Sequence, residues 1–312
     1  MAFLTEEAGS AAVPPLAGHA EVVSTTAGSA TAETSTVALV QAFVADGADA
    51  FETIAESLTA WLLGSGDVGI DSATAVASDL GALTAGLHAS LADAHGVPDF
   101  EPRPATQDDL LGWADAARLQ LARALDVTPG EAGTILRELA PRIAAELTVF
   151  EALARPPLLT RVHGDFHLGQ VLIAPGGYRI VDFEGEPLRP LADRRAHQSP
   201  LRDVASMLRS LDHVGRSAGR RVAARNGGPI ESLGLDLAAW LGHSRARFLD
   251  AYQAGLRAAG APIIMDAVLL RAFEIEKECY EFIYASTYLP TWLWAPTQGM
   301  CGLFADEARP WR

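Results

Sequence analysis

The chain has 312 residues, enough for one large domain or two smaller ones. Charged residues make up 20% and the AVILMFWYC set 49%, a globular composition rather than a disordered one. The formal net charge of −15 argues against nucleic acid and anionic membrane as partners; it favours solubility, with attraction of a cationic substrate as the more specific reading.

Two cysteines, Cys279 and Cys301, do not form a disulfide framework in so long a chain, so free thiols and a reducing cytoplasm are expected. The opening Met-Ala-Phe-Leu-Thr-Glu-Glu has neither a basic region nor an apolar core of signal-peptide length. No uninterrupted apolar run reaches the ~18 residues of a membrane span.

Residues 1–13 read as the end of a helix plus a linker. Residues 18–24 (Gly-His-Ala-Glu-Val-Val-Ser) read as a strand, 25–31 as a turn with Gly28, and 35–44 as a β-branched, apolar strand; together they make a hairpin. Taken alone, the second strand is a buried one with Gln41 exposed. The pattern then becomes helical. Residues 49–63 are amphipathic, and 71–94 carry Leu80, Leu83, Leu87 and Leu91 at steps of three and four, ended by Gly96 and Pro98. His88 and His95, on or near this helix, read as surface or capping residues. Thr106-Gln-Asp-Asp109 predicts a capping box opening a helix through Trp113, Leu119 and Leu125. Pro129-Gly130 starts the next helix, reaching about Arg155, with Pro141 in its first turns or kinking it.

The informative stretch follows. Arg161-Val-His-Gly-Asp-Phe-His-Leu-Gly-Gln170 runs into a strand, a turn at Pro175-Gly176-Gly177, a second strand, and Asp182-Phe-Glu-Gly-Glu-Pro187. Phosphoryl transfer needs one carboxylate to take the proton of the nucleophilic hydroxyl, and a second carboxylate with an amide oxygen to hold Mg²⁺ on ATP. Kinases order these as catalytic Asp, four residues, Asn, hairpin, metal Asp. Here the order is Asp165, four residues, Gln170, hairpin, Asp182. Asp165 is the candidate base, and Gln170 and Asp182 the candidate metal ligands. His163-x-Asp165-x-His167 also admits a zinc reading. Beyond this come a Pro- and Arg-rich loop at 186–200 and a helix started by Ser199-Pro200. A loop at 225–229, two long helical patterns at 231–259 and 262–284, and a Pro-broken aromatic stretch at 288–296 complete the chain. Arg189, Arg194, Arg195 and Arg202 either orient phosphate or pair with Glu184 and Glu186, and pairing is preferred. Lys277, Tyr280, Glu281 and Tyr284 share one helix face, with Trp292 following. A carboxylate beside an aromatic ring suits a sugar; the tyrosines also read as core.

The segments His163-Gly-Asp-Phe-His-Leu-Gly-Gln170, Asp182-Phe-Glu-Gly-Glu-Pro187 and Ser199-Pro-Leu-Arg-Asp-Val-Ala-Ser-Met-Leu-Arg-Ser210 resemble the actinobacterial maltokinase-like family, a branch of the aminoglycoside-phosphotransferase-like kinases. The resemblance runs from about residue 12 to the C-terminus. It implies an α+β, protein-kinase-like fold, mostly helical in its C-lobe with a remnant β N-lobe. Residues 1–47 would be that remnant with hairpin and hinge, 48–157 an intermediate helical subdomain, and 158–312 the catalytic C-lobe. It implies a hinge at Gln41-Ala42-Phe43-Val44 whose backbone N–H and C=O groups, at Gln41 and Phe43, pair with adenine, a buttressing role for His163, a sugar-facing His167, and an Asp203 that bonds the catalytic-loop backbone. Lys277-x-x-Tyr-Glu-x-x-Tyr284 matches maltokinases, but Ala285-Ser-Thr-Tyr-Leu-Pro290 replaces their basic, amide-bearing segment. That version is similar to glucosamine kinases, in which residues matching Glu281 and Trp292 bind the aminosugar. The resemblance therefore implies an ATP- and Mg²⁺-dependent sugar kinase making glucosamine 6-phosphate. The alternatives are a maltokinase and a non-catalytic sugar-binding remnant. No lysine precedes Lys277, so the phosphate-positioning strand lysine and most of the N-lobe are expected to be missing.

Overall fold

The computed structural model describes residues 1–25, 32–64, 68–97, 99–153, 155–227 and 234–305. The expected turn with Gly28, Pro98, the end of the 225–229 loop and the start of the 231–259 helix lie outside them. A short helical turn, Phe3–Glu7, opens the chain. β1 (Leu16–Thr25) and β2 (Ala32–Gln41) form an antiparallel ribbon from Leu16↔Gln41 to Thr25↔Ala32. The second strand ends at Gln41 rather than Val44: Ala42 N–H still reaches the Pro15 carbonyl at 2.8 Å, but Pro15 has no N–H to return the bond.

A second sheet carries the motif. β6 (Val171–Ala174) and β7 (Gly177–Ile180) pair as a tight hairpin, Val171↔Ile180 to Ala174↔Gly177. Gly177, at φ 98°, takes the conformation the turn requires. β3 (Ala48–Asp49) adds to the β6 edge, and Ile180 N–H donates to the Ala12 carbonyl at 2.7 Å. β4 (Arg103–Pro104) and β5 (Leu158–Leu159) make a third, two-residue pairing.

Helices build the rest. α1 (Ala50–Leu62) is capped by the Asp49 side chain on Glu52 N–H. The 71–94 helix is broken into α2 (Ile70–Ala73) and α3 (Ala75–Ala92). The reason is tertiary. The Trp240 indole N–H takes the Ala73 carbonyl at 3.0 Å, and Ala77 N–H, which would otherwise bond it, goes to Thr74. α4 (Gln107–Val127) starts with the expected Thr106–Asp109 capping box. α5 (Gly130–Leu147) stops well before Arg155, and Pro141 sits in its second half rather than its first turns. α6 (Leu191–Arg195) is a short turn; α7 (Leu201–Asn226), α8 (Gly234–Ala258), α9 (Ala267–Tyr288) and α10 (Trp294–Leu303) complete the order. Asp266 caps α9 through the N–H groups of Val268 and Leu269, which moves its start past Pro262. No helix among the described residues is long and apolar enough to cross a membrane.

α7 is the central element, packing on α1, α8, α9 and α10. α3 and α8 run side by side in the same direction, with Ala73 by Trp240, Gly81 by Phe248 and Ala85 by Gly255. A Cβ on Gly81 would lie 2.3 Å from the Phe248 carbonyl oxygen, so the two backbones approach only because residue 81 has no side chain. Gly81→Ala must push the helices apart. It is expected to cost about 1–3 kcal/mol, read as a lower midpoint in urea unfolding.

Candidate active site

The loop before β6 hangs on one buried carboxylate. Asp203, on α7 and 1% exposed, accepts the His163 N–H at 2.8 Å and the Gly164 N–H at 2.9 Å. Burial alone would raise its pKa. The hydrogen bond and charge of His88 and the nearby His163 outweigh that and hold it below the usual carboxylate range. Gly164 sits at φ 88°, a left-handed conformation that aims the next residue, Asp165, out of the loop. His163 braces the same loop. Its Nε2 donates to the Val181 carbonyl at 2.9 Å and its Nδ1 accepts the Asp165 N–H at 3.4 Å. Both ring nitrogens are thus engaged, which removes His163 from a His163–Asp165–His167 zinc site. Among the described residues, the His, Cys and acid groups close enough to share an ion are instead Asp212, His213 and Glu278. Arg209 lies 3.3 Å from Asp212 and 3.4 Å from Glu278, so that cluster is an ion-pair network.

On the far side of the loop, Gln170 ends a 3-10 turn and Asp182 follows β7. Their heads meet, Gln170 Nε2 to Asp182 Oδ2, at 3.0 Å. Asp182 has φ 62°, unusual for a residue other than glycine and typical of positions where a site constrains the backbone. One carboxylate and one amide, with no sulfur, form a hard oxygen donor set once the amide is turned. The residues present therefore fit Mg²⁺.

The other side of the site is built on α9. Lys277, the sole lysine of the chain, is buried. Its Nζ lies 2.8 Å from Glu186 Oε1, 3.2 Å from Asp165 Oδ1 and 3.2 Å from Glu281 Oε1, and 4.5 Å from the centre of the Tyr280 ring. Burial alone would lower its pKa; Glu186, Asp165 and Glu281 outweigh that and hold it well above the ordinary value. Asp165 and Glu281 therefore meet on one ammonium. His167 Nε2 lies 3.8 Å from the other Asp165 oxygen, and burial keeps its pKa below the usual value despite Asp165. Trp292, in the turn Pro290–Trp292, packs edge-on against His213 and Phe51. Tyr280 is core, stacked with Tyr284. Arg189 pairs with Glu186 as preferred and also with Glu276; Arg202 pairs with Glu276 rather than Glu184 or Glu186, and Arg194 donates to the Glu184 backbone carbonyl, not its carboxylate.

Gln41 and Phe43 line an open cleft of about 380 Å³ with Pro14, Val44, Leu172 and Val181. Phe43 is 91% exposed, and no partner bonds its N–H or that of Val44 among the described residues. The cleft ends one residue before Asp182. The cleft, the Gln170–Asp182 pair, Asp165 and the Lys277–Glu281 pair thus follow one another in space.

Two roles were not read from the sequence. Lys277 as the shared partner of three carboxylates was missed, though one lysine in 312 residues, set among glutamates on an apolar helix, was the signal. His88 is fully buried, not a surface or capping residue: Leu80, Thr84, His88 and Leu91 share one inward face of α3.

These residues lie together on a kinase-like fold. The sequence profile of the phosphotransferase enzyme family matches residues 37–260, and the chain belongs to that family. A glucosamine kinase of Streptacidiphilus jiangxiensis is 37% identical over 247 residues, 79% of this chain and 53% of that protein. One of Mycolicibacterium smegmatis is 33% identical over 238 residues, 76% of this chain and 54% of that protein. A solved glucosamine kinase in complex with glucosamine, ADP and inorganic phosphate superposes with a TM-score of 0.84 at 32% identity, over 97% of this chain and 70% of that one. The chain spans about half the length of the curated relatives it matches.

The ion pairs have a pH signature. Burial would raise the Glu186 pKa, but Lys277 and Arg189 bring it from 4.5 down to about 2. A carboxylate whose pKa falls on folding stabilises fully above its unfolded value, and that stabilisation is lost as pH drops through the folded one. Wild-type melting temperature is therefore expected to fall between pH 4.5 and about 2 more steeply than that of Glu186→Gln, in melts across that window.

Proposed function

We propose that this chain acts as an ATP-dependent sugar kinase on D-glucosamine, giving glucosamine 6-phosphate and ADP. Adenine would lie in the cleft by Gln41 and Phe43. Gln170 and Asp182 would hold Mg²⁺, which when bound neutralises charge on the phosphates. Asp165 would take the proton of the sugar hydroxyl as its oxygen attacks the γ-phosphorus. His167, with its lowered pKa, stays neutral beside that carboxylate. The expected division at residues 47 and 157 is kept in this proposal, with the hinge at the first boundary.

The charge balance around Lys277 carries the choice of sugar. Asp165, Glu186, Glu276 and Glu281 are joined through Lys277, Arg189 and Arg202. Four acids meet three bases, so one negative charge is left over at the sugar-facing end. A protonated amine on the substrate would neutralise it through Glu281; a neutral disaccharide would not. The glucosamine kinases among its relatives support the same reading.

The direct test is ADP release by the 312-residue chain with Mg-ATP and glucosamine, glucose or maltose. Release with glucosamine alone is the expected result. Glucosamine binding without ATP binding would instead identify a sugar-binding protein without kinase activity. Asp165→Asn should lower turnover by at least about 100-fold with folding intact. Glu281→Gln should weaken glucosamine binding by about 10- to 100-fold in calorimetry and leave nucleotide binding unchanged.

A further inference from the structure

Asp203 has a third partner, outside the loop it holds. His88 Nε2 lies 3.2 Å from Asp203 Oδ2, and His88 Nδ1 lies 2.8 Å from the Tyr252 hydroxyl. His88 and Tyr252 have no exposed surface. The tautomer follows from the partners. A carboxylate held below its usual pKa only accepts, so the His88 proton is on Nε2 and points at Asp203. The Nδ1–hydroxyl bond stands in either charge state of the ring, Tyr252 donating to the neutral imidazole and accepting from the imidazolium. The rings meet edge to face, 89° apart with centroids 5.6 Å apart. Tyr252 thereby fixes which way the imidazole faces, and His88 fixes how Asp203 presents its two oxygens to His163 and Gly164.

The placement of this row is set by the helix contact. His88 is two turns after Gly81 on α3, and Tyr252 is one turn after Phe248 on α8; Gly81 and Phe248 meet at the backbone. The α3–α8 contact is thus connected by three hydrogen-bonded side chains to the backbone N–H groups of His163 and Gly164, just before Asp165. None of these groups reaches the cleft, the Gln170–Asp182 pair or the Lys277 cluster by a direct bond among the described residues.

We propose that His88 and Tyr252 are positioning residues for the catalytic loop, acting through Asp203 to fix the direction of Asp165. Only the activity part of this proposal rests on the kinase reading above. The loop's rigidity is measurable without turnover.

The test is hydrogen–deuterium exchange of the His163 and Gly164 amides, read residue by residue by NMR, in the full chain. His88→Leu keeps an apolar side chain in the core but removes both bonds. It is expected to speed exchange at these two amides by about tenfold or more, with α3 and α8 amides unchanged. His88→Gln has a donor for Asp203 and an acceptor for Tyr252, and should restore protection. Tyr252→Phe removes a single hydroxyl and should give a smaller acceleration at the same amides; it decides the matter if His88→Leu fails to fold. In turnover, kcat should fall with KM for both substrates unchanged, and recover in His88→Gln. Unchanged His163 and Gly164 exchange in the folded variants would overturn the proposal, as would equal acceleration throughout α3 and α8, which marks a packing role alone. A wild-type chain that does not release ADP would defeat the kinase reading but leave the exchange result to decide this one.

Discussion

A carboxylate or an ammonium left alone in a protein interior costs several kcal/mol, so buried charge survives only where it is paired. α7 and α9 bury an unusual amount of it: Asp203, Arg209 and His213 on one, Glu274, Glu276, Lys277 and Glu278 on the other. These helices pack on each other, and their charges interlock across the contact, as Arg202 with Glu276 and Arg209 with Glu278. A well-packed apolar interface would hold two helices together at least as well. What the charged one adds is direction. Each pair fixes a helix rotation, and with it which way Asp203 and Lys277 point.

The catalytic loop inherits that direction. Its sheet is small, three strands with a two-residue edge, and would fix little by itself. Helix side chains do the work instead. Asp203 holds the two consecutive N–H groups of His163 and Gly164, and the Ser210 hydroxyl accepts the N–H of Leu168 at 3.0 Å. Both come from α7, two turns apart. The loop's first half and the start of its 3-10 turn are therefore referenced to one rigid helix. The Gln170–Asp182 contact is then closed by the tight β6–β7 hairpin.

Much of this was legible because it is local. The hairpin at 171–180, the Thr106 capping box and the acid–amide–acid spacing depend on neighbours in sequence, and chain patterns report neighbours well. The misread features depend on residues far away. The break at Thr74 needs the indole of Trp240. His88 reads as a surface residue until α8 arrives with Tyr252, 164 positions later. Lys277 could be placed on a helix face from its spacing, but its three carboxylates come from residues 165, 186 and 281, and two of those lie outside its own helix. Spacing finds the residues that do chemistry; it does not find those that hold them.

One turn of α9 joins the two halves of the site. Lys277 and Glu281 are four residues apart and bonded to each other, so cation and anion keep a fixed offset. The same ammonium bonds Asp165. A change that lengthened, tilted or neutralised this turn would shift Asp165 and Glu281 together. In the proposed reaction, selection of the substrate and orientation of the base would then be one property of the helix. That gives a physical reason for the only lysine in the chain to stand among acids on α9 rather than on the nucleotide side.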